Sequence, residues 1–432
     1  MNTTIAIIIL FGIFLGLILL RVPITYCLIA SSICTTLYIG APVLTIFQRM
    51  AQGVQSFSFL AIPFFILAGE IMGAGGIANR LVAVADIMVG RFRGGLAQVN
   101  VVSSTFLGGI SGSPSADVSS IGALMIPMME KQGYDRDFAV NVTVTSATQS
   151  MIIPPSHNMV IYALAAGGVS TGKMFLAGVV PGLLLMVALM IITYIITIKR
   201  GYPKGRKYGL RESVKIIRDG ILGIFTIIII MLGVSTGLFT ATESAAIACL
   251  YAFIVTFFVY REIPLSEMWR ILGRTIRTLA MILAIIAAAN GFCWLMSYLR
   301  IPAMVTEALL TVSSNPIVLL ILINLLLLFL GCIMDVAPLI VITTPILLPV
   351  VLELRMDPIQ FGIIMLVNLA IGACTPPVGS VLFAGCAVGK IKIEQAIRGI
   401  LPFYAAMILV LLLVTYIPAI SMTLPNLVMG TA

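Results

Sequence analysis

Two Pro-Pro dipeptides, Pro154-Pro155 and Pro376-Pro377, interrupt two overlong charge-free runs of a 432-residue chain, 138–172 and 358–389. Proline donates no N–H, so within a helix the carbonyl four residues earlier loses its partner. The carbonyls freed in this way belong to Ser150 and Met151 in the first run and to Gly372 and Ala373 in the second. In apolar surroundings each costs several kcal/mol unless another group replaces the lost bond. Ordered water is one replacement. A sodium ion is another, because it takes oxygen ligands and suits the negative, C-terminal end of a half-helix. Hydroxyls at Ser111, Ser150 and Thr375 are placed to complete such shells. The spacing thus predicts two cation sites. One lies around Gly108, Ser111, Ser150, Ile153 and Pro155, the other around Gly331, Gly372, Thr375 and Val378.

The opposite half-helix ends point backbone N–H groups and a positive dipole toward the same region, which suits an anionic solute. Ser113, Ser115, Ser156, His157, Asn158, Gly379 and Ser380 lie there, and they are the predicted contacts of a carboxylate-bearing substrate. Asp117 has two readings, a helix N-terminal cap or a functional carboxylate. Asp335, in a second turn-rich break, is a candidate for coupling or gating. His157, the single histidine, either bonds exposed backbone or touches substrate. Glu70 and Glu243 are read as packing residues near span ends.

The elements that hold these residues follow from composition. Apolar residues make up 60% of the chain and charged ones 9%, with a mean hydropathy of +1.17. A soluble domain carries about 25% charged residues, so this stock builds no water-facing surface. Soluble enzymes, disulfide scaffolds and disordered proteins are excluded. Charge-free runs at 50–69, 94–116, 220–242, 244–260, 278–299, 308–334 and 399–432, with opening segments 5–20 and 22–47, predict an all-α polytopic membrane protein of about 10–12 membrane helices. The N-terminal segment lacks a basic region and a small-residue cleavage site, so it reads as a retained span.

The chain also matches itself at an offset of 222–223 residues: Phe106-Leu107-Gly108 with Phe329-Leu330-Gly331, Asp135 with Asp357, Pro154-Pro155 with Pro376-Pro377. Two repeats are expected, 1–210 and 211–432, of inverted topology. Each pairs a re-entrant helical hairpin (about 96–130 and 317–352) with a Pro-Pro-broken helix (about 138–168 and 358–388). The hairpin turns are rich in Gly, Ser and Pro at 108–115 and at 331–338. Interrupted helices at matching positions of two halves point to a transporter's midplane site.

Residues 199–218 hold eight Lys or Arg against one Glu, and 261–277 add four Arg. The positive-inside rule makes these cytoplasmic loops and puts the N-terminus on the far side, which leaves no case for nucleic-acid binding. The seven cysteines form no CxxC pair and read as packing residues. Gly167-x4-Gly172-Lys173 lacks the Ser or Thr of a phosphate loop, having Met174 there, so an ion gradient is the expected energy source. No HExxH motif or nucleophile–base pair suggests an enzyme.

Gly-Gly-Ile-Ser-Gly-Ser-Pro-Ser-Ala-Asp (108–117), Ile-Ile-Pro-Pro-Ser (152–156), Thr-Ala-Thr-Glu-Ser-Ala-Ala (240–246), Gly-Cys-Ile-Met-Asp (331–335) and Thr-Pro-Pro-Val-Gly (375–379) together resemble the large membrane subunit of the tripartite ATP-independent periplasmic (TRAP) transporters. The resemblance spans essentially the whole chain. It implies a multi-pass permease of the bacterial inner membrane, N-terminus periplasmic and loop 199–220 cytoplasmic. Such a permease imports organic acids (dicarboxylates, sialic acid, other sugar or keto acids) by sodium symport and an elevator mechanism. It needs no cofactor beyond sodium as coupling ion. The implied partners are membrane lipid, a periplasmic solute-binding protein and a small four-helix membrane subunit, here expected as a separate chain because the sequence starts at its first span. The family's sodium-binding regions fall on the hairpin tips and Pro-Pro breaks. This sequence departs from the Thr-Pro-Pro pattern in its first half, where Ile153 precedes the prolines, so that site leans on carbonyls and serine. A stand-alone sodium/carboxylate symporter of the same architecture is the alternative.

Overall fold

The computed structural model describes residues 2–313 and 315–430. Among them the chain is helical throughout, with no strand beyond an isolated bridge between Arg93 and Lys204. Seven helices are long and apolar enough to cross a bilayer: Thr171–Lys199, Leu210–Ser235, Ala241–Tyr260, Leu265–Tyr298, Pro316–Ile333, Val336–Glu353 and Ile393–Tyr416. An eighth crossing is available from Ala61–Ala74 and Ile77–Val89, bent by 74°. Gly76 sets that bend, with a φ of +69° that glycine adopts at no steric cost.

Other apolar stretches fold as helices shorter than 18 residues, so fewer helices pass this length test than the 10–12 crossings the sequence predicts. Residues 22–47 divide into Ile24–Ile39 and the amphipathic Leu44–Gly53, because Gly40 (φ +73°) ends the first and Pro42 follows. The run 308–334 divides between Ile301–Val312 and Pro316–Ile333, and the C-terminal run divides before Pro418, which opens Pro418–Met429. Thr3–Leu19, at 17 residues, falls just short of the others.

Four helix pairs carry the site. The first hairpin is Gly95–Ser111 and Pro114–Lys131; the second is Pro316–Ile333 and Val336–Glu353. The first broken helix runs Arg136–Ala147, tightens into a 3-10 turn at Thr148–Met151, and resumes at His157–Ala165. The second is Pro358–Ala373 followed by Ser380–Gly389. Both Pro-Pro peptide bonds are cis.

The first arms of the broken helices are buried on every side, although the first of them carries Asn141, Thr143, Thr145 and Ser146. Every residue from Phe138 to Ala147 and from Ile359 to Ala373 is buried. Some polar side chains of this core bond across to the neighbouring hairpin arm. Asn100 donates to the Thr143 hydroxyl (2.7 Å) and Thr105 to Gln149 Oε1 (2.6 Å). In the second half Asn368 donates to Asn324 Oδ1 (2.9 Å), and Asn324 to Thr415 (3.2 Å). A buried amide left unpaired costs about 1–3 kcal/mol, so these bonds fix the register of each hairpin arm on its broken helix. The halves also meet directly. Gly385 and Gly389 of the second broken helix lie against Val144 and Val140 of the first.

Candidate functional site

Each hairpin turn sits on a Pro-Pro break. At the first, Gly108 touches the break so closely that a Cβ on it would come within 2.8 Å of Ser150 Cα. At the second, a Cβ on Gly372 would come within 2.6 Å of the Gly331 carbonyl carbon. Asn158 Nδ2 donates to the Gly112 carbonyl (3.2 Å), and the Val378 amide donates to the Cys332 carbonyl (3.0 Å). Tip and break are thus joined by backbone contact in both halves.

Of the four carbonyls that the prolines free, Gly372's accepts the Thr375 amide (2.9 Å). Those of Ser150, Met151 and Ala373 accept no hydrogen bond from any described residue. Such oxygens are the donor set a hard cation takes. Two of the hydroxyls proposed to join them are engaged locally, Ser150 with the Ala147 carbonyl (2.7 Å) and Thr375 with that of Ile371 (2.7 Å). Each donates its hydrogen and keeps oxygen lone pairs for a ligand. Ile153 and Pro155 are buried at the first break, whereas Val378 is 46% exposed at the second. Residues 150–156 are buried throughout; Pro377 and Val378 are open.

The two tips face a common cavity of about 940 Å³. Ser111, Ser113, His157 and Asn158 line it from the first half, Asp335 and Ser380 from the second. The Ser113 hydroxyl accepts the Ala116 amide (3.4 Å) and so caps the second hairpin arm. Asp335 caps Val336–Glu353, its Oδ1 accepting the Val336 amide (3.0 Å) and the Ser380 hydroxyl (3.4 Å). His157 is buried against Gly112 with Nδ1 unpartnered, so it makes no backbone hydrogen bond through that atom.

Three candidate residues, the carboxylate Asp117 and the predicted contacts Ser156 and Gly379, lie elsewhere. Asp117 is fully buried behind the tip, where Oδ1 accepts the Ser111 hydroxyl (2.8 Å) and Oδ2 has no partner among the described residues. Ser156 and Gly379 are buried at the breaks without lining the cavity.

Much of the remaining cavity wall belongs to helices Ala61–Ala74 and Leu265–Tyr298 and holds groups that sequence reasoning missed. Glu70 accepts from Arg274 Nε at 2.9 Å, and Glu267 stands nearby on the wall. Glu70 was expected as a packing residue and Arg274 only as a loop charge; 204 residues separate them, and no local pattern signals the pair. Glu243 does serve locally, in a capping box with Thr240. Three carboxylates and one guanidinium therefore line the cavity among the described residues. A like charge about 8 Å away costs about 2 kcal/mol at an effective dielectric of about 20. An anion entering here needs added positive charge.

Residues 11–420 match the family model of the tripartite ATP-independent periplasmic transporter, DctM component. The chain is 38% identical to the sialic acid TRAP transporter large permease protein SiaM of Vibrio cholerae, over 89% of this chain and 90% of that one. It is 36% identical to the C4-dicarboxylate large permease DctM of Rhodobacter capsulatus, over 97% and 98%. The isethionate TRAP permease DctMQ of Oleidesulfovibrio alaskensis is 39% identical over 96% of this chain and 65% of that longer protein. Among solved structures, the YdaH transporter of Alcanivorax borkumensis is similar with a TM-score of 0.63 at 14% identity, over 89% and 90% of the two chains. At that identity the likeness speaks for the fold.

Proposed function

The chain belongs to the DctM family, the large permeases of the TRAP transporters, and we propose that it imports an organic acid across the bacterial inner membrane by sodium symport. The three relatives carry, by name, sialic acid, a C4-dicarboxylate and isethionate, all organic anions. The observation that carries the reading is the twin arrangement of hairpin tip on Pro-Pro break, facing one cavity. Unpaired carbonyls at both breaks bind sodium, at the first site with Gly108, Ser111, Ser150, Ile153 and Pro155 and at the second with Gly331, Gly372, Thr375 and Val378. The ions supply the positive charge that a cavity lined by Glu70, Glu267 and Asp335 lacks. Ser113, His157, Asn158 and Ser380 hold the acid group, Asp335 gates it, and Asp117 acts from behind the first tip through Ser111.

The two halves, 1–210 and 211–432, are inverted repeats on this reading, and their hairpins and broken helices form a module that slides against the remaining helices as an elevator. The N-terminus is periplasmic and loop 199–220 cytoplasmic. A periplasmic binding protein delivers the substrate, and the small membrane subunit is a separate chain.

Reconstitution tests the proposal. The permease is placed in proteoliposomes with its small subunit and binding protein, and uptake of sialic acid, succinate and isethionate is followed under an inward sodium gradient. Uptake of at least one anion that collapses when choline replaces sodium is expected. Uptake indifferent to that exchange overturns sodium coupling, and full uptake without the binding protein favours the stand-alone symporter.

A further inference from the structure

We propose that Arg274 receives the substrate's acid group as it leaves the hairpin tips, exchanging its Glu70 partner for the anion. The proposal rests on the chain being an organic-acid carrier and assigns a release station in the cavity that the tips face. Arg274 is the single cationic side chain lining the cavity among the described residues. Its Nε donates to Glu70, and the two terminal amino groups of the guanidinium have no hydrogen-bond partner there. Four of its five N–H donors are therefore free, in a planar fork that matches a carboxylate or sulfonate bidentately.

The pair is also weakly held. Arg274 is 45% and Glu70 28% exposed, and ion pairs so open to water contribute little because solvent screens them. An incoming carboxylate offers the guanidinium the same chemistry as Glu70, so exchange carries a small net cost. Glu267 does not compete for Arg274, since it pairs with Arg270 (3.3 Å).

Position gives the station its direction. Ile263, Pro264 and Glu267, which belong to or flank the Arg-rich segment 261–277, line the same cavity. The positive-inside rule puts that segment at the cytoplasmic face. Arg274 lies in that segment and lines the same cavity as the tip residues Ser111, Ser113 and Asp335.

The alternative is a structural tie between helices Ala61–Ala74 and Leu265–Tyr298, and the two roles differ in sign. A tie predicts that Glu70→Gln and Arg274→Gln act alike, since both break it. Exchange predicts opposite effects on the cytoplasmic-side affinity. The experiment is counterflow in right-side-out vesicles holding the complete transporter, loaded inside with graded concentrations of whichever of sialic acid, succinate or isethionate the parent carries. Arg274→Gln should raise the internal half-saturating concentration by about tenfold, the equivalent of one charge-assisted hydrogen bond. Glu70→Gln should lower it, and Arg274→Lys should fall between Arg274→Gln and the parent. Changes in the same direction for Glu70→Gln and Arg274→Gln, or an unchanged value in Glu70→Gln, overturn the proposal. Glu70→Gln decides alone if Arg274→Gln fails to assemble. A parent that carries none of the anions overturns the functional reading itself, before any variant is compared.

Discussion

Gly331 and Gly372 meet backbone to backbone, and a Cβ on Gly372 would stand 2.6 Å from the Gly331 carbonyl carbon. Real Cβ atoms do not approach backbone that closely, and neither helix can yield alone because Ile359–Ala373 is buried on all sides. Gly372→Ala should therefore separate the second tip from its break and abolish uptake, at an overpacking cost of about 1–3 kcal/mol. Gly108→Ala should do the same at the first tip, against Ser150. Initial uptake rates with thermal stability of the purified complex check this; normal uptake in both variants would mean the tips need not close on the breaks.

Thr375→Ala removes a hydroxyl whose hydrogen goes to the Ile371 carbonyl at 2.7 Å. Helix Pro358–Ala373 ends before it, so assembly should survive. The sodium concentration for half-maximal uptake should rise several-fold, while uptake at saturating sodium stays near the parent's. A sodium titration identical to the parent's would take Thr375 out of the second site.

Ser111 gives Asp117 its one side-chain hydrogen bond, at 2.8 Å, and the carboxylate is fully buried. Stripping a buried acceptor of its donor costs about 1–3 kcal/mol. Ser111→Ala should lower the unfolding temperature of the detergent-purified protein by more than Asp117→Asn, which removes the charge and keeps a side-chain acceptor for the serine. The reverse order would show that the charge itself stabilises the tip.

Outside the membrane, Asp135 accepts hydrogen bonds from the Tyr202 hydroxyl (2.6 Å) and Arg200 (2.8 Å). The Tyr202 bond foremost, then Arg200, holds its carboxyl below the usual carboxylate range. A folded-state pKa lowered in this way adds stability above the unfolded value of about 4 and loses it as pH falls through the folded value. Asp135→Asn should cost less than about 1 kcal/mol at neutral pH, the group being well exposed. Parent and variant should converge as pH is taken below about 4. Melting curves from pH 3 to 8 check this, and a gap that persists at pH 3 would mean that packing is responsible.

The sequence showed what is local and hid what is not. Gly112, Pro114 and the two proline pairs act on the backbone at their own positions, so the helix ends at Ser111, Met151 and Ala373 can be traced to residues at or just beyond them. Burial was harder. Helix Pro358–Ala373 and lipid-exposed helices are both mostly apolar, because lipid and protein interior ask for the same side chains. That Asp117 turns inward while Asp335 faces the cavity also depends on tertiary packing, although both follow a hairpin turn. The Glu70–Arg274 pair depends on the fold bringing together two helices remote in sequence.

The two sites differ in one respect that bears on coupling. Of the proposed sodium ligands only Ser111, at the first site, lines the cavity. An ion held beside Ser111 as proposed shares that space with the acid. One held between Gly331 and Gly372 stands apart from the cargo, so boarding of the acid is tied more closely to the first berth than to the second.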